Sequence, residues 1–174
     1  MTTRTILVAV AALLAATMTT TALAASTAKD PKTLVLQKSD FPAGARLGQK
    51  GADKSPQVSS YYVTYRYKAG SNQFELISTA SVMSRGVAIR AFREARSLLQ
   101  HGYQKISLPK YGDEQVAGLA REDNAGELWV RKGGVVWALT VNTADLASGL
   151  ITKAESIALL KRFGPKQMKR VGSG

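Results

Sequence analysis

The side chains able to perform acid–base or metal chemistry are few in this sequence of 174 residues. It contains one histidine, His101, and no cysteine, which excludes disulfides, thiol catalysis, cysteine-containing zinc sites and multi-histidine metal centres. No Gly-x-Ser-x-Gly motif supports a serine nucleophile. His101 falls at the end of a predicted helix, where its imidazolium would interact with the negative end of the helix dipole. We therefore expect a structural role for His101, and we expect neither a metal nor a cofactor.

Two acidic pairs, Asp113-Glu114 and Glu122-Asp123, are the next candidates for acid–base catalysis. Paired carboxylates can act as acid and base when their surroundings separate their pKa values. Both pairs lie beside glycine in predicted turns, where carboxylates commonly bond to nearby backbone amides or pair with basic side chains. We therefore assign neither pair a catalytic role, and the sequence favours a non-enzymatic protein without deciding the question.

Positive charge is the feature that points most directly to a function. The sequence has 24 Lys and Arg against 12 Asp and Glu, for a net charge of +12. Dense basic clusters attract phosphate-rich polymers, although the same charge also keeps a protein soluble, and both interpretations stay open. The candidate binding residues are Arg90, Arg93 and Arg96 in the first predicted helix, and Lys161, Arg162, Lys166, Lys169 and Arg170 near the C-terminus.

Residues 1–24 are predicted to be a signal peptide. Arg4 precedes an uninterrupted apolar run at residues 6–16, and Ala22-Leu23-Ala24 places small residues at the two positions that signal peptidase reads. The run is much shorter than the roughly 20 residues that a membrane-spanning helix needs. We expect cleavage after Ala24, with Ala28 as the alternative, and a secreted or envelope location without a transmembrane segment. Only Arg4 is lost among the charged groups, so the mature chain keeps a net charge of +11.

The remaining sequence predicts one domain over residues 34–171, after a flexible leader at residues 25–33. Residues 48–60 are rich in Gly, Lys, Ser and Pro and are expected to form a surface loop. Residues 61–83 alternate between apolar and polar side chains and predict a long hairpin with a five-residue loop at 69–73. Ser84 is a suitable cap for the amphipathic helix that follows.

The second half of the chain predicts three strands and another helix. The strands are expected at residues 115–121, 128–132 and 135–142, with Gly133-Gly134 as a tight reversal between the last two. Thr152 and Glu155 form a capping box at the start of the final helix, and Gly164-Pro165 is expected to end or kink it. The order of two strands, a helix, three strands and a helix predicts an α+β fold, in which an antiparallel sheet of about five strands has helices packed on one face.

The aromatic residues favour core packing over nucleic-acid stacking. Tyr61, Tyr65 and Tyr67 share one face of the predicted hairpin with Val63, and such a face usually packs against the core. Binding of single-stranded nucleic acid is further disfavoured by the predicted export. If Gly133-Gly134 is a two-residue loop, Trp129 and Trp137 project from opposite faces of the sheet.

Several turn and strand-end segments together resemble exported bacterial proteins and lipoproteins of unassigned function. The segments are Ser39-Asp40-Phe41-Pro42-Ala43-Gly44, an Ala- and Arg-rich helix after a strand pair, Leu108-Pro109-Lys110-Tyr111-Gly112-Asp113-Glu114, and Val130-Arg131-Lys132-Gly133-Gly134-Val135-Val136 before a terminal helix. The chain departs from the pattern at Gly133-Gly134, where Gly-Asn is expected, and in lacking the lipidated cysteine of anchored relatives. The resemblance implies a fold and carries no catalytic residue over.

Two hypotheses follow. The leading one is an exported, non-enzymatic binding or envelope-associated domain whose basic surface holds anionic wall polymers or lipid headgroups. The alternative is a small ligand-binding or hydrolytic domain with a pocket between the sheet and the first helix, which a cavity containing His101, an acid and a hydroxyl would favour. Nucleic-acid binding would require the signal-peptide prediction to be wrong and the uncleaved chain to be found in the cytoplasm.

Overall fold

The computed structural model describes residues 29–69, 72–145 and 149–172. The predicted signal peptide and residues 25–28 lie outside these ranges. Within the described ranges, no helix has the length and apolar character needed to cross a membrane.

The described chain forms a seven-stranded antiparallel sheet and three α-helices, which confirms the predicted α+β class. The helices are α1 (Pro31–Leu34), α2 (Arg85–Gly102) and α3 (Lys153–Gly172), with a 3-10 turn at Lys38–Asp40. The strands are β1 (Arg46–Lys54), β2 (Val58–Ala69), β3 (Asn72–Met83), β4 (Tyr103–Lys105), β5 (Glu114–Ala120), β6 (Gly126–Lys132) and β7 (Val135–Thr143). Their spatial order is β1-β2-β3-β7-β6-β5-β4, so two groups of consecutive strands meet where β3 pairs with β7.

The sheet has seven strands rather than about five because each edge carries one strand that the sequence did not predict. At one edge, β1 replaces the first part of the loop expected at residues 48–60, and its register with β2 shifts between Leu47 and Lys50. Its side chains are exposed almost throughout, so the strand lacks the apolar alternation that reveals a half-buried strand. At the other edge, β4 has only three residues.

The β2–β3 connection is shorter than the sequence predicts, whereas the β6–β7 connection has the predicted length. Ala69 pairs with Asn72, so β2 and β3 are joined by two residues and the predicted five-residue loop is wrong. Between β6 and β7, Lys132 pairs with Val135 and Gly133 adopts a φ of +59°, a conformation that glycine permits at little cost. Trp129 and Trp137 consequently lie on opposite faces, as predicted.

The two long helices pack on opposite faces of the sheet, which corrects the prediction that they share one face. On one side, α2 buries Ala88, Ala91 and Phe92 against Met83 and Val136. On the other side, α3 packs against the alternate residues of β7. The physical reason is that β7 is buried along both faces from Val135 to Val141, and a strand with two apolar faces requires a cover on each.

The α3 face contains the larger core. The Phe41 ring lies 4.2 Å from that of Tyr65 and 4.8 Å from that of Phe163, measured between centroids. Regular structure is already present three residues before Leu34, because Asp30 caps α1 by accepting a hydrogen bond from the Lys32 amide at 2.9 Å. Pro31 is buried within this first turn.

Helix α3 begins as predicted and continues further than predicted. The Thr152 amide donates to the Glu155 carboxylate at 2.8 Å, and the Glu155 amide donates to the Thr152 hydroxyl at 3.2 Å, which confirms the capping box. The helix does not end at Gly164-Pro165 but runs to Gly172. Pro165 removes one backbone donor and crowds the preceding turn. The continuation offsets this cost by placing Gln167 in the core, where its side chain accepts from the Ser78 hydroxyl at 2.7 Å and donates to the Thr79 carbonyl at 2.9 Å.

Candidate functional site

The three candidate arginines of α2 lie on its exposed side. Ser84 caps the helix by accepting a hydrogen bond from the Val87 amide at 3.4 Å, and a stripe of mostly alanine side chains turns toward the sheet. Because that stripe fixes the rotation of the helix, Arg90, Arg93 and Arg96 are all left exposed. They span about a third of the helix circumference and about 9 Å of its length, at 100° and 1.5 Å per residue.

The five basic residues of α3 are divided between surface and structural positions. Lys161, Arg162 and Lys169 are exposed. Arg170 instead donates from Nε and Nη2 to the same carboxylate oxygen of Asp40, each at 2.7 Å, and Lys166 donates to the Asp40 backbone carbonyl. These two side chains tie the C-terminal helix to the 3-10 turn, so they are less available to an external ligand.

The structure does not bring the two predicted basic groups together. The arginines of α2 belong to the outer side of one helical layer and the basic residues of α3 to the outer side of the other, with the sheet between them. A single flat ligand therefore cannot contact both groups.

A cavity of about 570 Å³ lies between the C-terminal half of α2 and the edge of the sheet. Its walls come from α2, from β4 and the segment 106–108 that follows it, and from β5. The lining residues are Arg96, Leu99, Gln100, Tyr103, Lys105, Ile106, Ser107, Leu108, Gln115, Val116, Ala117 and Gly118. The alternative hypothesis from the sequence requires a pocket between the sheet and the first helix, and this cavity is the candidate for it.

A buried acid lies beside this cavity. Glu127 is only 8% exposed, and its carboxylate accepts hydrogen bonds from the Tyr103 hydroxyl at 2.8 Å and from the Trp129 indole at 3.0 Å. Burial raises the pKa of Glu127, although both hydrogen bonds oppose this effect. The pKa of Tyr103 is raised as well, by burial and then by the negative charge of Glu127.

Gly118 allows Tyr103 to reach Glu127. A Cβ atom on Gly118 would lie 2.7 Å from the Tyr103 Cβ, too close for any other residue at this position without displacing the tyrosine. Tyr103 therefore lies across β5 and links the cavity wall to the buried carboxylate on β6.

Sequence reasoning missed Glu127 because it considered only acidic residues in turns. Glu127 directly precedes the strand predicted at residues 128–132, and the observed strand begins at Gly126. An earlier predicted start would have placed Glu127 and Trp129 on one face, since residues i and i+2 share a face of a sheet. A charged group on a face that also carries a tryptophan indicates a buried acid with a specific partner.

The acidic pairs that the sequence singled out have the expected structural roles. The buried guanidinium of Arg131 donates to Glu114 at 2.7 Å and to Asp113 at 3.1 Å, and the Gly133 amide donates to Asp113 at 2.9 Å. The Gly133 amide and the Arg131 charge lower the pKa of Asp113. In the second pair, Asp123 accepts from the Ala125 amide at 3.0 Å, whereas Glu122 is exposed.

His101 is exposed in the last turn of α2, and its Nδ1 lies 2.7 Å from the Ser97 carbonyl oxygen. This contact within the helix agrees with the structural role expected for it. His101 is not among the cavity residues, and no carboxylate is among them either. Within residues 29–69, 72–145 and 149–172, no cluster of three or more His, Asp or Glu side chains has the arrangement of a metal site. The cavity thus offers positive charge, amides, hydroxyls and apolar surface.

Comparison of the chain with protein-family models, with curated proteins and with solved structures finds no significant match. The arguments for function consequently rest on the residues and their arrangement.

Proposed function

We propose that this protein is an exported, non-enzymatic binding domain of the cell envelope, which holds anionic wall polymers or lipid headgroups through the outer side of α2. The observation that carries the proposal is the exposure of Arg90, Arg93 and Arg96 along one side of a single helix. The predicted signal peptide and the net positive charge of the chain support it.

Helix α2 is favoured over α3 because two of its three candidate cations, Arg93 and Arg96, are not committed to the fold. Arg93 and Arg96 form no hydrogen bond or ion pair with any residue that the structure describes, whereas Lys166 and Arg170 of α3 are held by Asp40. A cation without an internal partner loses nothing within the protein when it binds an external phosphate or carboxylate, and guanidinium groups suit both anions.

The experiment is co-sedimentation of the mature chain, from residue 25, with vesicles of phosphatidylcholine alone or mixed with phosphatidylglycerol, and with a purified anionic wall polymer. We expect binding to the anionic vesicles and to the polymer, with affinity that falls as added salt screens the charges. The triple variant R90Q/R93Q/R96Q should bind about a hundredfold more weakly, at about 1 kcal/mol for each basic side chain near an anionic surface.

The matched control is K161Q/R162Q/K169Q, which removes the same charge from exposed positions of α3. It should lower binding far less than the α2 variant. Equal losses of affinity in the two variants would mean that binding depends on net charge alone and would overturn the assignment to α2. An absence of binding by the original protein at low salt would overturn the proposed function itself.

The cavity beside α2 favours a second candidate function, binding of a small ligand. Its volume of about 570 Å³ falls within the range of about 300–1,000 Å³ that is typical of small-molecule sites. The lining supports binding rather than hydrolysis, because it combines neither His101 nor a carboxylate with its hydroxyl groups.

A further inference from the structure

The cavity is lined by apolar side chains and by positively charged side chains, with no negatively charged side chain among them. Leu99, Ile106, Leu108 and Val116 supply apolar surface, whereas Arg96 from α2 and Lys105 from β4 supply the charged groups. Both charges are positive, and no acidic residue is present among the lining residues to neutralise them. An apolar surface beside uncompensated positive charge is complementary to a molecule that has an apolar body and an anionic group.

The two cations are available to such a ligand. Arg96 and Lys105 are exposed, and their side chains form no hydrogen bond or ion pair with any part of the chain that the structure describes. They come from different elements that meet at the cavity, so the fold brings together two charges that are nine residues apart in the sequence. A carboxylate or phosphate group is the chemical partner that each of them prefers.

The walls of the cavity are held in place by hydrogen bonds that do not involve the two cations. Gln115 accepts from the Tyr111 amide at 2.8 Å and donates to the carbonyl oxygens of Leu108 and Pro109 at 3.2 and 3.0 Å. On the other side, the bond from Tyr103 to Glu127 fixes the tyrosine ring. A wall that is ordered before binding lowers the entropy lost when a ligand enters.

We infer that the cavity binds a single anionic amphiphile, with its carboxylate or phosphate held by Arg96 and Lys105 and its apolar body against Leu99, Ile106, Leu108 and Val116. The inference rests on the second candidate function, ligand binding in the cavity, and specifies the chemical class of that ligand. The anionic group can belong to a fatty acid or to an alkyl phosphate, since both present oxygens that the same two cations can hold.

The experiment is isothermal titration of the mature chain with decanoate, decyl phosphate, decan-1-ol and inorganic phosphate, each as a dissolved monomer. We expect decanoate or decyl phosphate to bind at least tenfold more tightly than decan-1-ol, and inorganic phosphate to show no measurable binding. The comparison of decanoate with decyl phosphate identifies which anionic group the site prefers. Equal affinity for decan-1-ol and the anions would overturn the inference while leaving ligand binding in place, and a failure of all the alkyl probes would overturn both.

Variants with matched controls assign the binding to the cavity. Arg96→Gln and Lys105→Gln should each weaken anion binding about tenfold and leave decan-1-ol binding unchanged. Arg121→Gln and Lys110→Gln remove equivalent exposed charges outside the lining and should leave anion binding within twofold of the original protein. Losses as large in these controls would overturn the roles of Arg96 and Lys105.

A substitution that fills the cavity tests its location independently of charge. Ser107 is exposed and lines the cavity, so Ser107→Trp should abolish binding of every alkyl probe without disturbing the core. Ser97→Trp makes the same change at an exposed position of α2 outside the lining and should have no effect. Unchanged binding in Ser107→Trp, with a melting temperature like that of the original protein, would overturn the site.

Discussion

The two faces of the sheet bury different kinds of side chain. The α3 face contains an extensive core in which Phe41, Tyr65 and Phe163 stack closely. The α2 face has a smaller core in which Met83, Ala88, Ala91 and Val136 surround Phe92, and beside it lie a buried carboxylate and a cavity. The difference suggests a division in which the α3 face supplies most of the stability and the α2 face carries the features suited to binding.

The polar atoms of the buried aromatic side chains also differ between the two faces. On the α3 face, the hydroxyls of Tyr67 and Tyr111 and the indole nitrogen of Trp137 have no hydrogen-bond partner among the residues described. On the α2 face, Tyr103 and Trp129 both donate to Glu127. The aromatic residues of the α3 face therefore contribute through packing, whereas those beside α2 maintain a specific polar arrangement.

The largest expected effect that tests this division comes from truncating one phenylalanine on each face. Phe163→Ala should lower the free energy of unfolding by about 4 kcal/mol and Phe92→Ala by about 3 kcal/mol, because the cost rises with the cavity left behind and Phe163 lies among other large rings. Urea denaturation of both variants measures the difference. A larger loss for Phe92→Ala would contradict the assignment of stability to the α3 face.

A smaller effect is expected from removing one tyrosine hydroxyl on each face. Tyr103→Phe leaves one oxygen of buried Glu127 without its donor and should cost about 2 kcal/mol. Tyr67→Phe removes a hydroxyl that has no partner in the described part of the chain, where burial raises the pKa of Tyr67 to about 12, and should change stability by no more than about 0.5 kcal/mol. Urea denaturation at pH 7 measures the free energy of unfolding of both variants. Equal losses of stability would contradict this contrast between the two faces.

The smallest effect is a change in how stability depends on pH. Because the pKa of Glu127 is raised above its ordinary value of 4.5 in the folded protein, the folded state binds this proton more tightly than the unfolded state does. The stability linked to that proton is fully present below pH 4.5 and is lost as the pH rises through the raised pKa. Glu127→Gln cannot titrate, so its stability relative to the original protein should increase between pH 4.5 and pH 8.

Glutamine preserves the local hydrogen bonds in this variant, since its oxygen can accept from Trp129 and its amide can donate to the Tyr103 oxygen. The control is Glu122→Gln at an exposed position, for which the relative stability should not vary with pH. Urea denaturation at several pH values checks both variants. A constant difference for Glu127→Gln would show that Glu127 does not titrate differently on folding.

The sequence predicted those parts of the fold whose signals are local. The β2–β3 hairpin, the reversal at Gly133 and the cap of α3 all follow from alternation, turn residues or capping pairs within a few positions. Strand β1 was missed because an exposed edge strand carries no alternation. The sequence analysis did not predict that helices cover both faces of the sheet, although the continuous burial of β7 from Val135 to Val141 requires a cover on each face.

The candidate site was less accessible to sequence reasoning than the fold. The exposure of Arg90, Arg93 and Arg96 follows from the apolar stripe of α2, but their separation from Lys161 and its neighbours depends on which face each helix covers. The cavity depends on the length of β4 and on the path of the chain after it, for which no residue pattern is diagnostic. Such features arise from contacts between elements that are distant in the sequence.

The meeting of β3 and β7 also determines how the chain can fold. Every other neighbouring strand pair in the described sheet joins consecutive strands, which can associate as soon as each turn forms. Pairing Val82 with Val135 instead closes a loop of roughly fifty residues, and such long-range pairing slows folding. We therefore expect the β3–β7 contact to be the slow step in assembling the sheet, since neither half has the complete α3-face core until that contact forms.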